Sequence, residues 1–416
     1  MSIVKSGTAD MPNVVVIGGG ATGVGIARDA GLRGFKVTLI ERGDLGSGTS
    51  TRFHGILHSG ARYTVNDPEV AAACYHENQL LRHVIPTAIT DTGGLFVALT
   101  VEEVAHADVL MAACARAGIP TTEITPEEAI AAEPHLSHAV RRAFRVPDGF
   151  VDGAEVLRLN RLSAMEADVP ATFLPHHTVT GFKQHAGRLT AVMVADSHSG
   201  AARQVACDYV INAGGVWAGQ IAALADIPLH MIFDKGTMIT FKHQFSRAVL
   251  NRCRPENDGD LLVPGGPNGG SVMGTTARVI TDPDACFPTQ EEVDLLLKEG
   301  TALIPQLQHA EATRVFAGVR PLFNADSPAL TPGADNAVLN NSRKVRRSFE
   351  VLDHSAQGVD NFLSVVGGKV TLYRLMAETT VDLLCDKAKV RAACPTASLP
   401  LRPASARDFL QISVNA

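Results

Sequence analysis

The chemistry legible in this sequence sits in a few glycine-bearing turns and in a scatter of His and Arg. Gly18-x-Gly20-x-x-Gly23 follows the β-branched run Asn13–Ile17 and opens a helical stretch, Ala21–Arg33, that Gly34 stops. The first Gly permits a tight turn, the second lets a pyrophosphate approach the backbone, and the third allows close helix–strand packing. The helix N-terminus attracts the phosphates. Lys36–Ile40 reads as a second buried strand ending in Glu41, where a carboxylate can accept from ribose hydroxyls. Strand, helix, second strand and terminal acid in register make this a dinucleotide-binding unit rather than a turn alone. Asn212-Ala213-Gly214-Gly215 closes another strand-like run, Tyr209–Ile211. It reads either as a second backbone approach to the same dinucleotide or as an ordinary strand end.

Three further segments concentrate polar chemistry. His54-Gly55-x-x-His58-Ser59-Gly60-Ala61-Arg62-Tyr63 places two His, an Arg and a Tyr between glycines. Their spacing does not suit zinc, because no thiol or carboxylate lies nearby at ligand spacing. Gly318-Val319-Arg320-Pro321 reads as a constrained turn carrying a cation, and Arg346 and Arg347 follow. A guanidinium fork suits a phosphate or a carboxylate. Gly367-Gly368-Lys369-Val370-Thr371 joins the buried strand Leu363–Val366 to a helix near 371–387. Its backbone N–H groups could stabilise a negative charge.

The elements that must position these groups alternate between strand and helix. Helices are expected over Asp67–Val84, Val101–Ala117, Thr125–Glu133, Asp152–Ala167 and Thr289–Ile304. Strand-like pieces occupy Gly94–Leu99, residues 172–211 and much of 228–282. The fold class is therefore α/β. With 416 residues the chain exceeds one simple domain. Its net charge of −6 argues against a generally basic nucleic-acid binder. The seven Cys include no C-x-x-C pair, so neither a disulfide framework nor a Cys-rich metal site is expected. A reduced, cytoplasmic setting is the simplest reading. The N-terminus carries no signal-peptide pattern, and no run of 18 apolar residues stands ready to span a membrane.

Taken together these segments resemble the FAD-dependent glycerol-3-phosphate dehydrogenase family, most of all its bacterial anaerobic branch. The resembling stretches begin with VVVIGGGATGVGIARDAGLRGFKVTLIERGDLGSGTS, HGILHSGARY, ENQLL and VPDGFVD. VINAGGVWAGQIA, NRCRPENDGDLLVPGG, MGTT, AGVRPL and VVGGKVTLYRLMAE follow in order, over about residues 13–380. The resemblance implies a Rossmann-like FAD-binding domain with an inserted α+β substrate domain built on a mainly antiparallel sheet. The expected FAD-binding segments are 13–90, 146–227 and 315–390. The substrate or cap segments are 91–145 and 228–314, between a flexible tail 1–12 and an irregular tail 391–416.

The resemblance also implies oxidation of sn-glycerol 3-phosphate to dihydroxyacetone phosphate, with hydride passing to the flavin. Electrons would move on to a quinone or an electron-accepting subunit. Peripheral association with the inner face of the cell membrane through a partner is compatible with it. By resemblance, Gly18, Gly20, Ala21, Thr22, Gly23, Glu41 and Arg42 hold the ADP half of FAD. Ser50 and Thr51 lie near the pyrophosphate or flavin, and Ala213 and Gly214 pass beside the dinucleotide. Gly368, Lys369, Val370 and Thr371 sit at the carbonyl end of the isoalloxazine. Arg62, Tyr63, Arg320 and Arg347 surround substrate, with Arg320 on the phosphate.

Two departures matter. The single-chain branch of the family has a His after Lys-Gly-Ser, where this sequence has Lys235-Gly236-Thr237-Met238. Met cannot accept a proton, so the base falls to His58, then His54, then Lys369. Many relatives in the anaerobic branch carry a C-terminal Cys-rich module, and no such run stands before Ala416. The competing readings are a flavoenzyme for another polyol phosphate or a 2-hydroxy acid, and a non-catalytic electron-relay subunit. The glycine unit generates a direct prediction. Gly20→Val blocks the pyrophosphate approach, so the purified variant should be colourless, as read by its visible absorption. Full flavin content would remove the assignment.

Overall fold

The computed structural model describes residues 11–266, 269–323 and 342–401. The expected tails 1–12 and 391–416 therefore fall largely outside the described residues. Where the chain is described, the C-terminal segment packs back onto the body: Leu401 is buried and its N–H donates to Val84 O at 2.7 Å.

A six-stranded sheet carries the glycine-rich unit. Its first strand, β1 (Asn13–Ile17), lies between β2 (Lys36–Ile40) and Tyr209–Asn212, all parallel. Phe362–Gly367 and Thr172–Leu174 extend the parallel set, and Phe349–Asp353 adds an antiparallel edge. Val14, Val15 and Val16 are buried on both faces, which is why β1 reads as a continuous apolar run rather than an alternating one. The helix α1 (Ala21–Leu32) crosses over β1, and its glycines serve close packing. A Cβ on Gly25 would stand 3.1 Å from the Tyr373 ring and 3.3 Å from Ala377 of the helix Tyr373–Ala388.

The second large sheet has nine strands and is mainly antiparallel. Its spine is the long pair Met231–Phe241 and Ala312–Phe323. Gly318–Pro321 lies inside the second of these strands, which corrects the expected turn. Pro321 is compatible with this strand because, among the described residues, the strand pairs on one side only, as an edge strand does. The domain boundary expected at 315 also falls inside this strand, which belongs to the antiparallel sheet along its whole length.

Helix starts follow their local chemistry. Thr125 with Glu128 and Thr289 with Glu292 both form capping boxes, and Asp67 caps a helix that has Pro68 in its first turn. The helices Pro68–Val84 and Tyr373–Ala388 are tied by one buried ion pair. Arg374 donates from Nε to Glu77 Oε2 at 2.8 Å and from Nη2 to Oε1, with the Glu77 side chain fully buried. Removing one partner strands a buried charge. Arg374→Met should therefore cost about 3–5 kcal/mol in chemical denaturation. Glu77→Gln added to it should recover part of that loss. Equal stability of parent and single variant would show the pair to be inert.

Candidate functional site

The parallel strands end at one cavity, as expected for an open α/β sheet. It encloses about 490 Å3 and runs from the glycine turn to the wall of the antiparallel sheet. Gly18 has φ +112°, a conformation that favours glycine, and a Cβ there would lie 2.4 Å from Ala213 O. A Cβ on Gly23 would lie 1.8 Å from Gly18 O. Gly23 thus stands behind the turn and does not line the cavity, while Gly18, Gly20, Ala21 and Thr22 do.

Gly20 caps α1 with no side-chain acceptor. Of the first amides, Ala21 N–H donates to Ser50 Oγ at 2.9 Å. The rest of that turn offers amide donors to an anion. Glu41 is fixed at the end of β2, where Oε2 accepts from Gly19 N at 2.7 Å and Oε1 from Gly43 N at 2.9 Å. Its remaining lone pairs can take ribose hydroxyls. A cradle without Cβ atoms, an uncapped helix start and an anchored carboxylate together fit the ADP half of FAD. Arg42 stacks on Trp217, 3.9 Å from its centroid, and both donate to Asp284 Oδ1, at 2.7 and 3.2 Å. Ser50, Ala213 and Gly214 also line the cavity. Thr51 does not; its hydroxyl turns back to Gly46 O at 2.7 Å.

The far end of the cavity gathers the remaining candidates. His54, His58, Arg62, Tyr63, Arg320, Arg347, Gly368, Lys369, Val370 and Thr371 all line it. Gly60, at φ +90°, lets the His58–Tyr63 segment turn against Ala71, whose carbonyl a Cβ would meet at 2.1 Å. Thr371 accepts the His58 backbone N–H at 3.1 Å, joining this segment to the turn after Gly368. The His54 and His58 rings meet edge to face at 5.6 Å, and the Tyr63 hydroxyl lies 3.3 Å from His58 Nε2. His54 Nδ1 accepts from Ile56 N–H at 3.1 Å. The neutral His54 ring therefore carries its proton on Nε2, and its one acceptor nitrogen is already engaged.

Each arginine is held by a carboxylate. Arg320 lies directly across the ladder from Asp234, and its Nη1 donates to Asp234 Oδ2 at 2.9 Å. Its Nη2 reaches Thr275 Oγ1 and Thr276 O. Gly236 gives the guanidinium room, since a Cβ there would be 2.6 Å from Nη2. Arg347 Nη1 donates to the same Asp234 oxygen at 3.3 Å. Arg62 is paired with Asp260. Lys369 Nζ sits 3.9 Å over the Tyr63 ring and donates to Arg347 O at 3.2 Å.

These charges set the protonation states. Burial pushes the His54 pKa down to about 3, helped by Arg320 and Arg62. Burial also lowers His58 well below the ordinary imidazole range, with His54, Lys369 and Arg62 adding to it. Both rings are neutral at pH 7. Burial raises the Tyr63 phenol, and burial lowers the Lys369 ammonium. Burial alone would raise Asp234, but Arg320 and Arg347 outweigh it and keep the carboxylate ionised.

Sequence reasoning missed Arg343, which lines the cavity and pairs with Asp258. It had pointed instead to Arg346, which is exposed. It also missed Trp217, Glu256, Asn257 and Asp260. The run Pro255-Glu256-Asn257-Asp258-Gly259-Asp260 was visible as a polar loop, yet nothing local shows that it faces His58 and Arg62.

The family model described as FAD dependent oxidoreductase matches residues 13–360. The A subunit of the anaerobic glycerol-3-phosphate dehydrogenase of Escherichia coli (strain K12) is 38% identical over 400 residues, covering 95% of this chain and 71% of the relative. The protein of the same name from Haemophilus influenzae is 39% identical over 392 residues, covering 94% and 67%. Among solved structures, the L-proline dehydrogenase from P. horikoshii superposes with a TM-score of 0.70 at 22% identity, covering 94% of this chain and 96% of that one. The glycerol-3-phosphate dehydrogenase from Bacillus halodurans, complexed with FAD, gives 0.68 at 21% identity, covering 98% and 72%. The two structures share the fold. From the extent of the family match and the identity to these relatives, the chain belongs to the FAD dependent oxidoreductase family, in the group that includes the A subunits of anaerobic glycerol-3-phosphate dehydrogenases.

Proposed function

We propose that this protein oxidises sn-glycerol 3-phosphate to dihydroxyacetone phosphate with FAD as its cofactor. One observation carries the reading: a cavity that begins at a dinucleotide cradle ends in a wall of Arg62, Arg320, Arg343, Arg347 and Lys369, with two neutral histidines among them. So many cations suit a phosphate dianion better than a single carboxylate. The names of the relatives point to the same substrate.

Bound FAD would supply the hydride acceptor. The parallel-sheet segments hold it; the antiparallel sheet contributes Arg320 to the substrate wall, while Arg62, Arg343, Arg347 and Lys369 come from turns outside that sheet. Arg320 has the most open guanidinium of the wall, with 27% of its side chain exposed, and anchors the phosphate through donors not spent on Asp234 and the threonines. Anchoring makes the reaction effectively unimolecular, a gain of up to roughly 7–11 kcal/mol where geometry is ideal. His58 takes the hydroxyl proton. With Nε2–H donated to the Tyr63 oxygen, its Nδ1 lone pair is free. His54, with Nδ1 occupied, donates from Nε2–H to a substrate oxygen instead. Lys369, seated on Tyr63, keeps the anion's surroundings positive. Electrons then leave to a partner protein or a quinone, as the designation of the relatives as A subunits suggests. Among the described residues no helix is long and apolar enough to cross a membrane. Attachment to a membrane surface by way of the partner is part of the proposal.

Anaerobic titration of the purified yellow protein tests the reading. Glycerol 3-phosphate should bleach the flavin, and 2-hydroxy acids should not; the reverse pattern rejects it. His58→Asn should slow that bleaching roughly 100-fold or more at neutral pH with flavin content unchanged. Because the folded His58 pKa is depressed, the protonated, inactive ring accumulates only well below pH 6.5. The parental rate of flavin reduction at saturating substrate, where ionisation of the free substrate's phosphate no longer contributes, should therefore show no histidine limb between about pH 6 and 8. A rise through pH 6.5 in that saturated rate would mean that the base is not this buried ring.

A further inference from the structure

One acid in the cavity wall is only weakly paired. Asp260, which also lines the cavity, is held by Arg62 and Arg254, while Asp258 is held by Arg278 and Arg343. Asp234, behind the wall, is held by Arg320, Arg347 and Ser342. Glu256 differs. It lines the same cavity with 14% of its side chain exposed. Among the described residues its nearest cation is Arg62, with Nε 4.0 Å from Oε1, and its carboxylate accepts no hydrogen bond. It is nevertheless close enough to act electrostatically on Arg62, Tyr63, Arg343 and Lys369.

A carboxylate that faces a ligand cavity without donors must find them in solvent or in the ligand. A phosphate will not approach it, because the two repel. A second carboxylate on the ligand would be repelled in the same way. Hydroxyl groups are the matching chemistry, since each offers the O–H donor that the carboxylate lacks. We propose that Glu256 is a specificity-determining residue that accepts hydroxyl hydrogen bonds from the polyol end of the substrate and rejects ligands with a carboxylate there. The inference rests on the polyol-phosphate reading above and adds the rule by which the site separates a polyol phosphate from a phosphorylated hydroxy acid. The arginines cannot make that distinction, because they attract both anions.

The test uses the FAD-loaded full chain and its Glu256→Gln and Glu256→Ala variants. Removing the negative charge by itself strengthens binding of every anion. Inorganic phosphate and 3-phosphoglycerate, followed by the perturbation of the visible flavin band, should both bind more tightly, 3-phosphoglycerate by roughly fivefold or more. Glycerol 3-phosphate should move the other way, its KM rising roughly tenfold with the loss of a hydrogen bond to a charged group. Opposite shifts for glycerol 3-phosphate and 3-phosphoglycerate support the proposal. Shifts in the same direction, or none, overturn it. Glu256→Ala gives the same comparison should the Gln variant hold too little flavin. Bleaching of the parent by glycerol 3-phosphate reports separately on the substrate reading, so the two failures are distinguishable.

Discussion

The site depends on holding several cations in one wall without letting them push the fold apart. Two unit charges a few ångströms apart in a partly buried setting repel by several kcal/mol. The structure offsets this with carboxylates paired to the arginines. Asp234 is fully buried and lies between Arg320 and Arg347. Asp260 joins Arg62 to Arg254, and Asp258 joins Arg343 to Arg278. These pairs are why the long antiparallel ladder matters to function. Its register sets Asp234 opposite Arg320 and Gly236 opposite Gly318. A one-residue slip would turn the guanidinium to the other face.

Burial governs the histidines, and the same cations add to it. Rings buried beside Arg62, Arg320 and Lys369 stay neutral at neutral pH, so under the proposed function the wall that would draw in an anion would also keep a base unprotonated. Anion binding and proton acceptance would then share one electrostatic arrangement. The dinucleotide end works on the opposite principle. It contributes few charged side chains and offers backbone amides in a turn that can pack against the neighbouring strand end only where Cβ atoms are missing, as at Gly18 against Ala213.

Much of the local structure was legible. The glycine unit lies between two short apolar runs that can only be buried strands, and the capping residues Thr125, Thr289 and Asp67 mark helix starts within a residue or so. Those signals are local, so one sequence suffices. Gly318-Val319-Arg320-Pro321 misled for the same reason. Gly and Pro mimic a turn locally, while pairing with Met231–Phe241 overrides that preference and the edge position accommodates Pro321.

The sequence by itself determined the dinucleotide cradle, the fold class and the residue types needed to bind an anion and move a proton. Only the tertiary structure decided which residues meet. Arg343 rather than Arg346 faces the cavity, Thr51 turns away, and His54 spends its acceptor nitrogen on Ile56. Glu256 and Asp260 enter from a loop nearly 200 positions beyond His58 and Arg62. The physical reason is that a charge takes its meaning from its neighbours across the fold. Burial and ion pairing are properties of the packed chain, and no local spacing encodes them.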